Sequence, residues 1–455
     1  MVASTPVAIS RDVMRRATSD PYRPAVLGEH PLTFSELLER ARRRAEQLDP
    51  AETFVRCGST EPTETLTDVI AADLAGTAAV LDDPTWPDPV RRAALAAATE
   101  AVGGTAKGSR LVVFTSGSTG RPRAVVRTTT SWTYSFPTFS AYAGIEPNDT
   151  VLIPGQLSFS LFLFGALHAL TVGAAIHPLR RWSPAAGRTA LAASGRSAKD
   201  PDAGRPGRAG ELSRANPLHG CRVAHLVPSM LAPLLQDPGG LRLAIVGGAQ
   251  LDPGLRQRAE QAGVELIDYY GSSELSFVAI RRNDGPLRPF PGVQVRSRDD
   301  VLWVRSPYLA SNLDTSPDGF ATSGDLGRVG HDGSVLVLGR PDAAITTGGA
   351  TVQAEGIEQV LRSDPAIGDA VVLGTPHPDL GQVVTALLEP ASGGDETRLS
   401  MPRLRSLVSE RLGAAERPRL WYLVRELPRT GSGKVARSEV ASALAENRLD
   451  VRTLT

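Results

Sequence analysis

The stretch LVVFTSGSTGRPR, Leu111–Arg123, sets the frame for the rest of the chain. Its four apolar residues read as a short buried strand. They run straight into two hydroxyls, a glycine, two more hydroxyls, a second glycine and an Arg-Pro-Arg tail. Such a loop offers many N–H and O–H donors with little bulk, which is how a backbone receives an anion. Glycine and serine also build ordinary turns, so the loop alone decides nothing. It is not a Walker loop: counting from Gly117, Pro122 stands where the second glycine is needed, and Arg123-Ala124 replace Lys-Ser/Thr.

Outward from that loop, short apolar runs alternate with helical stretches. LTFSELLERARRRAEQL, Leu32–Leu48, is an amphipathic helix with Thr33 and Glu36 at capping-box spacing. Leu37, Ala41, Ala45 and Leu48 share one face, and the arginines lie largely on the other. VIAADLAGTAAVLDD reads as helix then strand, as does the later CRVAHLVPSMLAPLL in reverse order. This alternation predicts α/β layering around a largely parallel sheet. Residues 184–220, rich in Ala, Gly, Arg and Pro, keep no hydrophobic period and are expected to be mostly surface loop. DVLWVRS and GSVLVLGR read as hairpin strands. A fresh helix–strand–strand–helix unit then starts at TVQAEGIEQVLRS, so the boundary is expected at GRPD, Gly339–Asp342.

The chain has 455 residues, enough for roughly two to four folding units. Lys+Arg and Asp+Glu are both 49, which gives no support for a broad nucleic-acid surface. Two cysteines, Cys57 and Cys221, make neither a disulfide framework nor a metal-ligand spacing, and a cytoplasmic location is expected. The N-terminus lacks the apolar core of a secretory signal. LSFSLFLFGALHALTVGAAI, Leu157–Ile176, has the length of a membrane span, but His168, its small polar residues and its flanks favour a buried helix and strand.

Four more segments carry chemistry-bearing residues in glycine-rich surroundings. DYYGSSEL, Asp268–Leu275, ends a strand with an aromatic pair, a glycine and a carboxylate. TSGDLG puts Asp325 in a turn. GRPDAAITTGGATVQAEGIE joins an Arg-Pro-Asp connector to a glycine pair, and LPRTGSGKVAR sets Lys434 in a second glycine loop. Taken singly, Asp325 reads as a turn cap, Glu274 as a helix-start carboxylate and Lys434 as a solvated loop lysine.

Together and in this order, the five segments resemble the adenylate-forming superfamily of acyl-CoA synthetases, adenylation domains and luciferases. The resemblance covers most of the chain and is strongest for the short bacterial acyl-CoA ligases. It implies an α/β fold: a large N-terminal domain of layered sheets and helices, residues 1–340, and a small hinged α/β C-terminal domain, residues 341–455. It implies a two-step reaction with ATP, Mg²⁺ and CoA, in which a small carboxylic acid becomes an acyl-adenylate and then a thioester. Phosphoryl transfer of this kind needs positioning and charge neutralisation more than covalent help.

By that resemblance Ser116, Gly117, Ser118, Thr119 and Gly120 wrap the β- and γ-phosphates. Tyr270 stacks on adenine, within DYYGSS and its Gly271 and Ser272, while Gly247, Gly248 and Ala249 wall the other side. Ser273 meets the α-phosphate, and Glu274 with Thr119 holds the Mg²⁺. Asp325 takes the ribose hydroxyls with Arg340. Lys434 reaches the bridging oxygen and the substrate carboxylate. Phe159 and Phe164, with Phe162 and Leu167, line the acyl pocket beside Gly248 and Ser273. Asp342 is the hinge, and Gly348 and Gly349 border the pantetheine tunnel. His168 and His225 read as hydrogen-bonded core residues.

The chain departs from the family pattern at Arg123-Ala124, where Pro-Lys-Gly is usual, at Ser323 for Thr, and at Ala343–Thr346 after the hinge. It is also short, with few residues between DDPTWP and the phosphate loop. Three alternatives stay open on these residues: an adenylation enzyme loading a carrier protein's phosphopantetheine, an enzyme keeping one half-reaction, and a nucleotide-binding regulatory protein. No fused carrier domain is expected after SGKVAR. No basic residue on the acyl segment is expected to bind a second carboxylate, though residues distant in sequence could, and the Ala/Arg/Gly/Pro-rich style points to a GC-rich bacterial genome.

Overall fold

Thr33 and Glu36 close the predicted capping box. Thr33 Oγ1 accepts from the Glu36 N–H at 3.1 Å, and Glu36 Oε2 accepts from the Thr33 N–H at 2.9 Å. The helix they start, Phe34–Glu46, buries Leu37 and Ala41, while Ala45 and Leu48 are half-buried. It packs on the helix Pro62–Ala75, whose chain returns through Gly76 to the strand Ala78–Val80. The computed structural model describes residues 9–49, 51–103, 108–116, 122–192, 220–339, 344–347, 350–377, 380–391, 399–430 and 433–454.

Among the described residues the strands form four sheets. The largest has nine strands, in the spatial order Arg288–Pro289, Ser276–Arg282, Glu265–Ser272, Leu243–Val246, Val223–Leu226, Thr150–Ile153, Ala175–Pro178, Pro24–Val26, Leu32–Thr33. Its inner pairings are parallel, as the alternation of strands and helices predicts, and only its edges turn antiparallel. A four-stranded sheet carries Phe54–Arg56, Ala78–Val80, Arg110–Ser116 and Pro122–Thr128. There the opening stretch departs from a parallel layout. Arg110–Ser116 and Pro122–Thr128 pair antiparallel, with Ser116 opposite Pro122. The residues between them, 117–121, lie outside the described set.

DVLWVRS and GSVLVLGR fall in the third sheet, an antiparallel one of Gln294–Arg298, Val301–Arg305, Leu326–Val329 and Val335–Gly339. The fourth, six-stranded, starts at Ala344–Thr347 and holds all later strands, with helices Ala354–Arg362, Met401–Arg411 and Arg437–Ala445. It has its own core around Ile357, Leu361, Val372, Leu388, Leu404 and Trp421. The core of the larger part runs from Ile9 to Ala321. The fold is therefore α/β, a large N-terminal domain followed by a small C-terminal one, each with its own apolar interior.

One expectation needs correction and a limit. Within 184–220, Pro184–Ala192 is a helix that buries Ala190 and Leu191. Its tight fit hides from a periodicity reading because the contact is made by a glycine: a methyl on Gly187 would stand 2.7 Å from the Trp182 ring. Residues 193–219 are outside the described set. The apolar stretch at 157–176 splits as expected into the helix Ser160–Val172 and the strand Ala175–Pro178. Thirteen residues give a helix of about 20 Å. No helix among the described residues is long and apolar enough to cross a membrane.

Candidate active site

The helix Ser160–Val172 and the strand Glu265–Ser272 point their first turn and last residues at one cleft. Its space between atoms amounts to about 760 Å³, counting the part that opens to solvent. Phe159, Ser160, Phe162 and Phe164 come from the helix start; Tyr269, Gly271, Ser272 and Ser273 from the strand end. Phe277 and Ser276 follow on the antiparallel return strand, and Val227 and Gly248 close one side. Arg127 comes from the strand Pro122–Thr128 and Trp132 from the short helix after it, and Lys434 arrives from the C-terminal domain.

Its aromatic wall is continuous. Trp132 contacts Phe164 at 6.5 Å between ring centres, Phe164 meets Phe277 edge-on at 4.8 Å, and Phe277 meets Tyr269 at 4.6 Å. The Tyr269 ring lies against Gly247, where a methyl would come within 2.5 Å of it. Gly248 has φ +84°, and a methyl there would stand 2.8 Å from Lys434 Cε and 3.2 Å from Nζ. Glycine is needed at both places, by close approach to the Tyr269 ring at the first and by backbone conformation at the second.

Lys434 is delivered by a turn. The Thr430 N–H donates to the Lys434 carbonyl at 2.7 Å, and Gly433 N–H donates back to Thr430 at 2.8 Å. The turn's base is held by Arg429, which pairs with Asp369 at 2.8 Å and Glu389 at 2.9 Å. Across the domains, Ser229 Oγ donates to the Gly433 carbonyl at 3.3 Å.

Ser273 Oγ lies 2.5 Å from Ser160 Oγ. Next to it, Glu274 accepts from Thr115 Oγ1 at 3.1 Å, so the strand Arg110–Ser116 and the strand carrying DYYGSSE meet at this carboxylate. Among the described residues no three His, Cys, Asp or Glu side chains gather in metal-binding range. A lone half-buried carboxylate with a hydroxyl beside it suits Mg²⁺, which takes one or two protein carboxylates and completes its shell with phosphate oxygens and water. Asp325 is buried, and its Oδ2 accepts from Tyr270 OH at 2.6 Å and Ser323 Oγ at 2.8 Å. Ser323 thus keeps the hydroxyl function expected of threonine.

Of the residues expected from sequence, Phe159, Phe164, Gly248, Gly271, Ser272, Ser273 and Lys434 line the cleft, and Phe162 with them. Gly247, Tyr270, Glu274 and Asp325 stand behind or beside it. Ala249 is exposed and outside the lining. Leu167 is corrected: on the helix it faces the core, fully buried. Gly117, Ser118, Thr119, Gly120, Arg340, Asp342, Gly348 and Gly349, and the Ser116 side chain, lie outside the described residues.

His168 and His225 are fully buried against Phe139 and Phe164, as core residues should be. The hydrogen-bonding half of that expectation fails for His225, neither of whose ring nitrogens has a partner among the described residues; His168 Nε2 pairs with Ser140 Oγ at 2.8 Å. Burial pushes both imidazoles down to about 3.

Arg127, Trp132, Ser160, Tyr269 and Phe277 were not anticipated. Arg127 carried a signal, a charge closing the apolar run AVV of a buried strand. Its guanidinium is held by Ser131 Oγ at 3.1 Å, Ser131 O at 2.9 Å and Ser273 O at 3.3 Å, and it sits 5.1 Å from the Trp132 ring centre. Burial pulls this guanidinium down to about 9, with Glu274 opposing the shift.

The AMP-binding enzyme family matches residues 51–194, and the AMP-binding enzyme C-terminal domain matches residues 356–434. An uncharacterized acyl-CoA ligase of Bacillus subtilis (strain 168), YhfT, is 30% identical over 359 residues, spanning 73% of this chain and 68% of its own. The chain belongs to the adenylate-forming, AMP-binding enzyme family. A probable 2-succinylbenzoate–CoA ligase of Mycobacterium tuberculosis is 34% identical over 242 residues, 50% of this chain and 62% of that one. The o-succinylbenzoate CoA synthetase (MenE) of Bacillus subtilis, solved with its acyl-adenylate intermediate, superposes with TM-score 0.76 at 21% identity over 98% of this chain and 99% of that one. Solved with ATP and magnesium ion, it superposes with TM-score 0.75 at 20% identity, covering 94% and 99%. At that identity the likeness bears on the fold.

Proposed function

We propose that this member of the AMP-binding family is an AMP-forming acid–thiol ligase, an ATP-dependent acyl-CoA ligase. One carboxylate oxygen attacks the α-phosphorus of ATP and pyrophosphate leaves. The thiol of CoA then attacks the acyl carbon, its proton is lost, and AMP leaves. The observation that carries this reading is Lys434, which reaches from the small domain to Gly248 at the mouth of an aromatic cleft. A lysine held there neutralises charge where carboxylate and phosphate must approach each other. The naming of two relatives as CoA ligases supports CoA as the acceptor.

The residue roles follow the chemistry of each group. Residues 116–120 cradle the outer phosphates, and Glu274, with Thr119, holds Mg²⁺, which neutralises the polyphosphate when bound. Ser273 meets the α-phosphate. Tyr270 backs adenine and holds Asp325 toward the ribose, with Arg340 beside it; Gly247–Ala249 close the far wall. Phe159 and Phe164 wall the acyl group. We set the domain boundary at 340/341, the hinge at Asp342 and the pantetheine path at Gly348-Gly349, in a cytoplasmic bacterial enzyme.

The test is a panel of carboxylic acids with ATP, Mg²⁺ and hydroxylamine, which traps the adenylate as a hydroxamate, followed by CoA. Hydroxamate with at least one acid and thioester with CoA are expected. AMP binding with no acid turned over would overturn the ligase reading. Transfer to a holo-carrier but not to CoA would replace the acceptor.

A further inference from the structure

The acyl cleft holds a cation that the two-step reaction above does not use. Arg127 is 2% exposed and lines the cleft, yet among the described residues no carboxylate lies within ion-pair distance of it. Its nearest counter-charge, Glu274, is bonded instead to Thr115. A buried charge is costly unless paired, and here its protein partners are neutral: one hydroxyl and two backbone carbonyls. Those contacts engage three of the five guanidinium N–H groups. One N–H on each terminal nitrogen is left over, a match for the two oxygens of a carboxylate. The indole N–H of Trp132, under the guanidinium, is also buried with no acceptor among the described residues.

The placement matters as much as the charge. The ring contacts run from Trp132, beside Arg127, through Phe164 and Phe277 to Tyr269, which abuts Gly247 next to Gly248 and Lys434. Two cations, Arg127 and Lys434, therefore line one cleft, joined by a run of aromatic contacts. An acid with one carboxylate, placed for reaction at Lys434, leaves Arg127 with neutral partners alone.

We propose that Arg127 is a specificity-determining residue that binds a second carboxylate, so that the preferred substrates are dicarboxylic acids with an apolar or aryl spacer, activated at the carboxylate nearer Lys434. This rests on the ligase reading for the identity of the cleft, and Arg127 is a residue distant from the acyl segment, on the strand Pro122–Thr128. Arginine rather than lysine suits the task, because its planar fork grips both oxygens while its face stacks on an indole.

The experiment compares matched acid pairs, a dicarboxylic acid and its analogue with a methyl in place of the second carboxylate, by hydroxamate trapping and by calorimetric binding to the full chain. The dicarboxylic member should be favoured by at least about tenfold in kcat/KM, since a site built to pair a charged group rejects an analogue lacking it. Arg127→Gln should erase that preference while leaving the monocarboxylic acid within about threefold, and Arg127→Lys should keep part of it. Equal use of both acids by the native chain would overturn the proposal. So would a loss of both acids alike in Arg127→Gln with unchanged thermal stability, which would make Arg127 only a support for the Ser273 carbonyl. Should no acid be turned over, the ligase reading fails, and calorimetry still decides this one: tighter binding of the dicarboxylic member, lost in Arg127→Gln, upholds it, and equal or no binding overturns it.

Discussion

Lys434 and Gly248, from different domains, are in contact: the lysine's Cε and Nζ occupy the space where a side chain on Gly248 would begin. The approach is possible because Gly248 follows the strand Leu243–Val246 in a left-handed conformation and presents bare backbone. Ser229 fastens the lysine's turn to the large domain from the other side.

Removing the ammonium should therefore cost the first half-reaction selectively. In Lys434→Ala, acid-dependent pyrophosphate exchange is expected to fall by about 10²–10³. Thioester formation from a pre-made adenylate should stay within about threefold of the native rate. Unchanged exchange would remove the lysine from the mechanism.

Gly248→Val tests the contact from the opposite partner. The new side chain displaces Lys434, and its left-handed backbone costs about 1–2 kcal/mol. Exchange should drop at least about tenfold while the folded chain persists. The comparison to make is exchange rate against thermal midpoint, because a purely structural effect would lower both together.

Tyr270 and Asp325 are joined by a 2.6 Å hydrogen bond. Tyr270→Phe removes that bond and keeps the ring. The loss of about 1 kcal/mol should raise the KM for ATP roughly fivefold and leave the KM for the acid unmoved. A change confined to the acid would reassign the tyrosine to the acyl pocket.

The buried histidines predict an acid-sensitive fold. In the folded chain His168 and His225 bind a proton only near pH 3, whereas unfolded histidine does so near 6.5. The depressed group favours the folded state above 6.5, and that stability is lost as pH falls from 6.5 toward 3. Each histidine contributes a slope of about 1.4 kcal/mol per pH unit in that window. In His225→Leu, the fall in urea unfolding free energy between pH 6.5 and 5 should be smaller by about 1.6 kcal/mol; an unchanged fall would refute the neutral, buried assignment.

What could be read along the chain was whatever is decided within a few residues. The capping box at Thr33 and Glu36, the helix–strand alternation and the glycine-bordered segments around Asp268–Leu275, Asp325 and Lys434 depend on local conformation and small residues, so spacing alone reveals them. Leu167 and the 184–192 helix were misjudged because a helix apolar on every side, or one packed through glycine, has no face that its period can mark. Only the tertiary structure decided which groups share the cleft. Arg127 meets the Ser273 carbonyl, and Ser160 meets the Ser273 hydroxyl, across more than a hundred residues. Those meetings come from the order of strands in the sheets and the docking of the small domain, and no local preference of the residues involved encodes either one.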